Sequence, residues 1–216
     1  MKMVCIDLDQ TLVESNKAHA LAFKKAFKEF GLEVPKAKEI IKHLQGDSAE
    51  VIIRKLFPKL KIKEAREIAK THNYYVVNET YKLAKPIVKN VNQVLKRIKK
   101  KFKLALISNC SKQEILALLK GAKINANIFD VIISKNEVSK PKPNPDEIFK
   151  AQNLIHSEAG YLVGDSVNDI KAAKMAGIKS IAVLTGNLPK KEILNAKPDY
   201  VIKDISELPK ILKEAA

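Results

Sequence analysis

The sequence predicts an α/β protein built on a doubly wound parallel sheet, with an all-helical segment inserted after the first strand. Short apolar segments rich in β-branched residues alternate with helical patterns along residues 87–216, as expected for parallel strands joined by right-handed crossovers. Residues 14–86 instead repeat apolar positions at helical spacing and are too long for a connecting loop. We therefore expect a Rossmann-like core of residues 1–13 and 87–216 and a helical domain of residues 14–86.

Six predicted strands make up the core, each bounded by polar or turn-forming residues. They are expected at Lys2–Leu8, Leu104–Ile107, Val131–Ile133, Tyr161–Val163, Ser180–Leu184 and Tyr200–Ile202. Helices are expected near 88–100, 115–119, 146–154 and 168–175. Within the insertion, the first of four helices is expected to end at Gly31, a residue type that favours helix C-termini.

The composition is that of a folded globular protein, with 46% apolar and 30% charged residues among 216. No apolar run approaches the roughly 18 residues that span a bilayer, and the first strand reaches Asp7 too early for a signal peptide. We expect a cytoplasmic protein with no membrane partner. The two cysteines, Cys5 and Cys110, lie in apolar stretches, so we expect small buried side chains and no disulfide.

The net charge of +16 is also typical of proteins that bind polyanions such as RNA. Here the lysines are scattered along the chain, aromatic residues make up only 6%, and no RNA-binding module is recognisable. We therefore do not expect nucleic acid as a partner. The positive charge is better suited to attracting a small anionic substrate.

Asp7 and Asp9 form the first of four polar sites that follow predicted strands, where ligands bind in open parallel sheets. Residues two apart at a strand end share a face, so the two carboxylates lie close together. Their repulsion raises one proton affinity unless a cation intervenes. This arrangement suits one carboxylate as nucleophile and metal ligand, and the other as general acid.

Two further sites carry groups suited to a phosphate. Ser108 and Asn109 follow the strand at 104–107, and because Ser111 is expected to cap the next helix, Ser108 is free to face a ligand. The proline-rich segment Lys140-Pro141-Lys142-Pro143 is stiff, which suits it to aiming one ammonium group. We assign phosphate binding to Ser108, Asn109 and Lys140.

The fourth site is Gly164-Asp165-Ser166-Val167-Asn168-Asp169, directly after a predicted strand. Magnesium prefers one or two carboxylates together with water and phosphate oxygens, and Asp165 with Asp7 supplies such a pair. The calcium-loop spacing is missing, and the four histidines show no pairing typical of zinc ligands. We therefore expect Mg²⁺ as the cofactor.

Together these motifs resemble the haloacid dehalogenase-like superfamily, and specifically its phosphoglycolate phosphatase-like branch, over nearly the whole chain. The matching motifs are, in order, Asp7-Leu8-Asp9-Gln10-Thr11-Leu12, Ser108, Lys140-Pro141-Lys142-Pro143, and Gly164 to Asp169. The resemblance implies a phosphatase in which Asp7 attacks phosphorus and Asp9 is the general acid and base. It also implies Mg²⁺ held by Asp7, Asp165 and the backbone carbonyl of Asp9, with Asp169 as a supporting acid.

The helical insertion matches the cap domain of that superfamily, with hinges at Glu14–Asn16 and Lys85-Pro86. His19 resembles a family histidine near the hinge and is a candidate cap contact. Gln10 departs from the glycine common in the branch, so it either adopts an ordinary conformation or alters the turn beside Asp9. Because dehalogenase members lack an acid at the position of Asp9, the pattern favours phosphoryl chemistry on a small phosphorylated metabolite, with phosphoglycolate the first candidate.

Three alternatives remain open from the residues alone. A phosphomutase of the same superfamily would use the same four sites. A phospho-receiver module also carries a phosphorylatable aspartate, but it is about half this length and lacks the helical block. A polynucleotide-end phosphatase or nucleic-acid-binding protein is the reading that the +16 charge suggests. The chain is compatible with a monomer or a homodimer.

Overall fold

A computed structural model describes residues 1–214 and contains a six-stranded sheet in which every neighbouring pair of strands is parallel. The strands are β1 (Met3–Ile6), β4 (Lys103–Ser108), β5 (Val131–Ser134), β6 (Ala159–Gly164), β7 (Lys179–Val183) and β8 (Tyr200–Ile202). Their order is β5-β4-β1-β6-β7-β8, so the chain builds outward from β1 on one side and then on the other. The predicted doubly wound sheet is confirmed.

Helices cover both faces of this sheet. They are α5 (Val91–Lys99), α6 (Lys112–Gly121), α7 (Asp146–Ile155), α8 (Val167–Met175), α9 (Lys190–Asn195) and α10 (Leu208–Glu214). Alternate residues of β1 serve opposite faces: Val4 and Ile6 pack in one core with α5, α6 and α10, while Met3 and Cys5 pack in another with α7 and α8. A central parallel strand is buried on both faces, which explains its uninterrupted apolar sequence.

The inserted segment has its own apolar core. It contains α1 (Asn16–Glu29), α2 (Ala37–His43), α3 (Ala49–Leu56) and α4 (Ile62–Asn78). Phe23 and Phe27 of α1 stack at a centroid distance of 5.7 Å and pack with Ile40, Ile53 and Ile68. The segment joins the sheet through two short antiparallel strands, β2 (Val13–Glu14) and β3 (Lys85–Pro86), at the positions predicted for the hinges.

Most predicted elements are found within a few residues of their expected ends, and Gly31 ends α1 with φ of 65°. The analysis of the sequence did not predict α9 and α10, which have six and seven residues. Helices this short carry too few apolar positions for a periodic signal, and α9 buries only Ile193. Within residues 1–214, no helix combines the length and the apolar character needed to cross a membrane.

Gly121 offers a test of how tightly the insertion packs on the core. A Cβ at this position would overlap the backbone carbonyl of Tyr81, which lies in the 3₁₀ turn Thr80–Leu83 after α4. We expect Gly121→Ala to lower the free energy of unfolding in urea by about 1–3 kcal/mol, the usual cost of overpacking. The matched control is Gly160→Ala, whose Cβ would lie 3.3 Å from the flexible side chain of Lys2. Equal stabilities for the two variants would contradict this packing.

Candidate active site

The predicted polar residues converge at the carboxyl ends of the strands around β1. Asp7 follows β1, Ser108 ends β4 and Asp165 follows β6, and all three line one cavity together with Asp9. This is the point at which the strand order reverses, where open α/β sheets bind ligands. His19, Phe23 and other side chains of the insertion also line this cavity.

Lys142, not Lys140, is the lysine of the proline-rich segment that reaches this site. Lys142 Nζ lies 2.6 Å from Asp7 Oδ1, 2.7 Å from Asp169 Oδ1 and 3.3 Å from the carbonyl of Ile107. Lys140 is exposed, and its backbone N–H donates to Asp146 at the start of α7. The assignment of phosphate binding to Lys140 is therefore wrong as to position.

The sequence offers two candidate lysines in this segment. The pattern Lys-Pro-x-Pro occurs twice in overlapping form, as Lys140–Pro143 and as Lys142–Pro145. The second copy directly precedes α7, so its lysine is the one held between that helix and the strand ends. Composition and stiffness are the same for both copies, and only the packing of the loop separates them.

Burial and mutual repulsion dominate the electrostatics of the acidic residues. Burial raises the pKa of Asp7 in spite of the adjacent Lys142 ammonium, and Asp169 and Asp9 raise it further. Burial also raises the pKa of Asp165 well above its ordinary value, with Asp7 and Asp169 adding to the effect. Burial opposes the charge on Lys142, but the carboxylates of Asp169 and Asp7 outweigh it and hold the pKa of Lys142 well above its usual range.

Two glycines allow the acids to come this close to the backbone. A Cβ at Gly164 would overlap the carboxyl group of Asp169, and a Cβ at Gly186 would overlap the carboxyl group of Asp165. Asp169 is further fixed by the N-cap of α8, because the Ser166 hydroxyl and backbone N–H both donate to Asp169 Oδ2, at 2.5 and 3.1 Å. The acid cluster is therefore preformed by backbone shape.

The donor set fits a small, hard divalent cation. Carboxylate oxygens of Asp7, Asp165 and Asp169 lie within 4.8 Å of one another, and all three residues are buried. Lys142 alone among the described residues forms ion pairs with this cluster, so one ammonium faces three carboxylates. Oxygen-only ligands with this excess negative charge suit Mg²⁺ better than a softer metal.

Asp9 faces the insertion. Its carboxylate accepts from the Ser15 hydroxyl at 2.5 Å, contacts His19 Nε2 at 3.1 Å and accepts from the Cys110 thiol at 3.2 Å. Burial alone would raise the pKa of Asp9, but the charge and hydrogen bond of His19 outweigh it, so the pKa is lowered. Cys110 is therefore a cavity residue, whereas Cys5 is buried in the core as expected.

His19 is the first of three buried side chains in mutual contact, followed by His72 and Glu114, and the sequence did not reveal these contacts. His19 Nδ1 lies 3.2 Å from His72 Nε2, and His72 Nδ1 lies 3.4 Å from Glu114 Oε1. Burial and the neighbouring His19 lower the pKa of His72 well below its ordinary value, which favours the neutral ring. These three side chains connect α1 and α4 of the insertion to α6 of the core. His19 and His72 are 53 residues apart, so no local pattern links them.

Ser108 and Asn109 have different surroundings. The Ser108 hydroxyl oxygen accepts from the backbone N–H of Cys110 at 3.1 Å, which leaves its proton available to the cavity. The side-chain amide of Asn109 instead donates to the carbonyls of Gly46 and Lys142, at 2.6 and 2.9 Å. The Asn109 side chain therefore holds two loops together and cannot at the same time donate to a phosphate, as the sequence analysis had expected.

The loop at residues 44–47 between α2 and α3 is bound by asparagines from three separate segments of the core. Besides Asn109, Asn168 donates to the Gly46 carbonyl at 3.2 Å, and Asn187 donates to the Leu44 carbonyl at 2.7 Å. Gly46 has φ of 82°, and a Cβ there would lie 2.5 Å from the Ser166 hydroxyl oxygen. This inserted loop therefore sits directly on the catalytic edge of the sheet.

Gln10 takes the left-handed conformation that glycine favours, with φ of 54°. Of the two expected outcomes, the ordinary conformation is wrong, and an altered turn beside Asp9 stays a prediction. With its amide oriented to satisfy its neighbours, the side-chain oxygen accepts from the backbone N–H groups of Ser15 and Asn16, at 3.0 and 3.2 Å. Thr185 donates to its carbonyl. These contacts support the strained residue where the chain enters α1.

Comparison with known proteins agrees with this geometry. The family model described as haloacid dehalogenase-like hydrolase matches residues 4–183. The chain is 32% identical over 217 residues to a protein of Caldanaerobacter subterraneus subsp. tengcongensis provisionally named pyrophosphatase PpaX, covering 97% of this chain and 94% of that one. It is 30% identical over 221 residues to a phosphoglycolate phosphatase of Aquifex aeolicus, covering 98% and 97%.

A solved structure shows the same fold. The crystal structure described as a predicted phosphoglycolate phosphatase from Haemophilus somnus superposes with a TM-score of 0.80 at 22% identity, covering 98% of each chain. The chain belongs to the haloacid dehalogenase-like hydrolase family. Within that family it is a phosphatase-type enzyme, similar to the phosphoglycolate phosphatases and to pyrophosphatase PpaX.

The two lysines of the proline-rich segment give a direct test of the site. Lys142→Met keeps the length of the side chain but leaves buried carboxylates without their cation, which typically costs about 3–5 kcal/mol. We expect this loss in urea unfolding of the metal-free protein. Lys140→Met, which alters an exposed side chain, is expected to change stability by less than about 0.5 kcal/mol. A larger loss for Lys140→Met than for Lys142→Met would contradict the assignment.

Proposed function

We propose that this protein is a Mg²⁺-dependent phosphatase that hydrolyses a small phosphate monoester through an aspartyl-phosphate on Asp7. The observation that carries the proposal is the convergence of Asp7, Ser108 and Asp165 on one cavity at the ends of three strands, with Lys142 bound to Asp7. This arrangement offers a nucleophile, a hydroxyl donor, an ammonium group and a carboxylate pair for a cation.

In the first half-reaction, an Asp7 oxygen attacks phosphorus and the bond from phosphorus to the leaving oxygen breaks. Lys142 fixes the rotation of the Asp7 carboxylate through Oδ1, and the free proton of Ser108 is available to a phosphoryl oxygen. Asp7 and Asp165 would hold Mg²⁺, with the backbone carbonyl of Asp9 as a further ligand. When bound, the cation neutralises charge on the phosphoryl oxygens.

Asp9 serves both half-reactions by holding a proton in the first and taking one in the second. As found, its contact with His19 favours the carboxylate, which is the form that removes a proton from the hydrolytic water. An incoming phosphate dianion raises the pKa of a nearby carboxyl group, so substrate binding favours the protonated form that the leaving oxygen needs. Water attack on phosphorus then releases phosphate and restores the Asp7 carboxylate.

We further propose that residues 14–86 act as a cap that closes over the site and hinges at β2 and β3. The contacts of the loop at 44–47 with three core asparagines support a closed state in which bulk water is excluded. His19 reaches Asp9 only through this closure, because it lies on the first helix of the insertion. Closing thereby joins the general acid and base to the rest of the site.

The substrate class follows from the relatives. One is named for phosphoglycolate and others for pyrophosphate, and both compounds carry a second anionic group beside the phosphoryl group. We propose a small phosphorylated metabolite of this kind as substrate, acted on in the cytoplasm by a monomer or homodimer.

Asp7→Asn tests the nucleophile. We expect Mg²⁺-dependent phosphate release from an aryl phosphate to fall by at least about 10³-fold, since the covalent route is removed while the fold is kept. A chelator is expected to stop the wild-type reaction, and added Mg²⁺ to restore it. Activity that survives Asp7→Asn in a sample of verified mass would refute the mechanism.

Asp9→Asn separates the two half-reactions. An aryl leaving group departs without protonation, so the first step continues, whereas activation of water is lost at a cost of about 10²–10⁴-fold. We therefore expect the phosphorylated enzyme to accumulate and to be seen, after acid quench, as a phosphoryl adduct on the peptide that contains Asp7. The double variant Asp7→Asn with Asp9→Asn is the control and is expected to show no adduct. An adduct on any other residue would contradict the assignment.

A further inference from the structure

We infer that Lys135 forms a subsite for a second anionic group of the substrate, so that the enzyme prefers small phosphate compounds carrying a carboxylate or a second phosphate beside the scissile phosphoryl group. This inference rests on the proposed phosphatase function and specifies its substrate. Lys135 follows β5 directly and lines the same cavity as Asp7 and Asp9. The sequence analysis did not single it out.

The backbone of Lys135 is firmly held. Its N–H donates to the carbonyl of Cys110 at 3.3 Å, next to the Ser108 loop. The preceding Ser134 donates through its N–H and hydroxyl to Glu137, at 2.8 and 2.7 Å, which fixes the start of the 3₁₀ turn Lys135–Glu137. Since β5 pairs with β4 at Ser134 and Ser108, Lys135 leaves the sheet level with the phosphate site.

Lys135 lies beside the wall of the cavity, because its N–H bonds to the carbonyl of Cys110 and the Cys110 thiol contacts Asp9. Burial is the main influence on the pKa values of His19, His72 and Cys110. The positive charge of Lys135 is a smaller influence that lowers each of them, although the pKa values of His19 and Cys110 are raised overall. A substrate group held at Lys135 would sit between the phosphate site and the insertion.

Most other charged groups of the cavity already have partners. Asp9 contacts His19, Glu114 accepts from the backbone N–H of Ser111 at 2.8 Å, and Asp47 pairs with Lys55 at 2.5 Å. Among the residues that the structure describes, Lys135 is the only lysine or arginine lining this cavity, and it has no carboxylate within 4.0 Å. Lys142 is already bound to Asp7 and Asp169 behind the cavity wall.

This distribution restricts the substrate. Elsewhere the cavity is lined by carboxylates, by uncharged polar side chains and by the apolar side chains of Phe23, Leu44 and Ile52, and none of these offers a second anion an ammonium group. A half-buried ammonium without a protein counter-ion instead gains a charge-assisted hydrogen bond from the ligand. Ser108 and Lys135 lie at the ends of the neighbouring strands β4 and β5. This closeness favours substrates in which the two anionic groups are only a few bonds apart.

The test compares substrates with and without the second anion. We expect Lys135→Ala to lower kcat/KM for phosphoglycolate and for pyrophosphate by about 10- to 100-fold, the usual effect of losing a hydrogen bond between charged groups. For ethyl phosphate, which lacks the second anion, the change is expected to stay within about threefold. Lys135→Arg should restore most of the preference, and Lys190→Ala, an exposed lysine on α9, is the charge-matched control.

A binding measurement separates this inference from the phosphatase proposal. In the Asp7→Asn background, calorimetry is expected to show that Lys135→Ala raises the Kd of phosphoglycolate by the same factor and leaves that of ethyl phosphate unchanged. If only phosphoglycolate or only pyrophosphate responds, the second group is identified as a carboxylate or a phosphate. An equal effect of Lys135→Ala on all three compounds, or no effect on any, would overturn the subsite even if the enzyme hydrolyses them. Discrimination in binding without turnover would uphold the subsite and refute the phosphatase.

Discussion

The ion pairs of Lys142 with Asp7 and Asp169 are the interaction on which the rest of the site depends. Three buried carboxylates at one sheet edge repel one another, and burial penalises each charge. A single buried ammonium offsets part of this repulsion and leaves room for a divalent cation to offset the remainder. The acids cannot move apart to relieve this repulsion, because strand ends, the N-cap hydrogen bonds of α8 and two glycines fix their positions. The fold therefore holds these carboxylates close together even though their charges repel one another.

The insertion completes the chemistry as well as covering it. Asp9 belongs to the core loop, but its contact His19 comes from α1 and is in turn supported by His72 of α4 and Glu114 of α6. All four side chains are buried or half-buried, so the orientation of Asp9, the proposed general acid and base, depends on the packing of α4 and α6, which lie far from Asp9 in the chain. The proposed anion subsite at Lys135 lies in the same cavity as these side chains.

Much of the fold was predictable because its signals are local. Parallel strands buried on both faces have uninterrupted apolar sequences. Helices with long amphipathic patterns or capping boxes, such as that of Ser111, can be recognised from a few consecutive residues. Asp7, Asp9, Ser108 and Asp165 were predictable because strand ends meet at one edge. The choice between Lys140 and Lys142 was not, because it depends on how an irregular loop packs. The positions of His72, Glu114 and Lys135 at the site were also not predictable, since each depends on contacts between distant segments. No sequence pattern indicates that the Asn109 side chain donates to two backbone carbonyls.

The asparagine contacts that hold the loop at 44–47 have a consequence for turnover. Asn109, Asn168 and Asn187 grip that loop through uncharged amide groups, although the chain is rich in lysines. Neutral hydrogen bonds are hardly affected by ionic strength, whereas long-range attraction between a cationic protein and an anionic ligand weakens as counter-ions accumulate. For the proposed cap, opening is therefore expected to depend little on ionic strength, whereas the capture rate of an anionic ligand falls as salt is added.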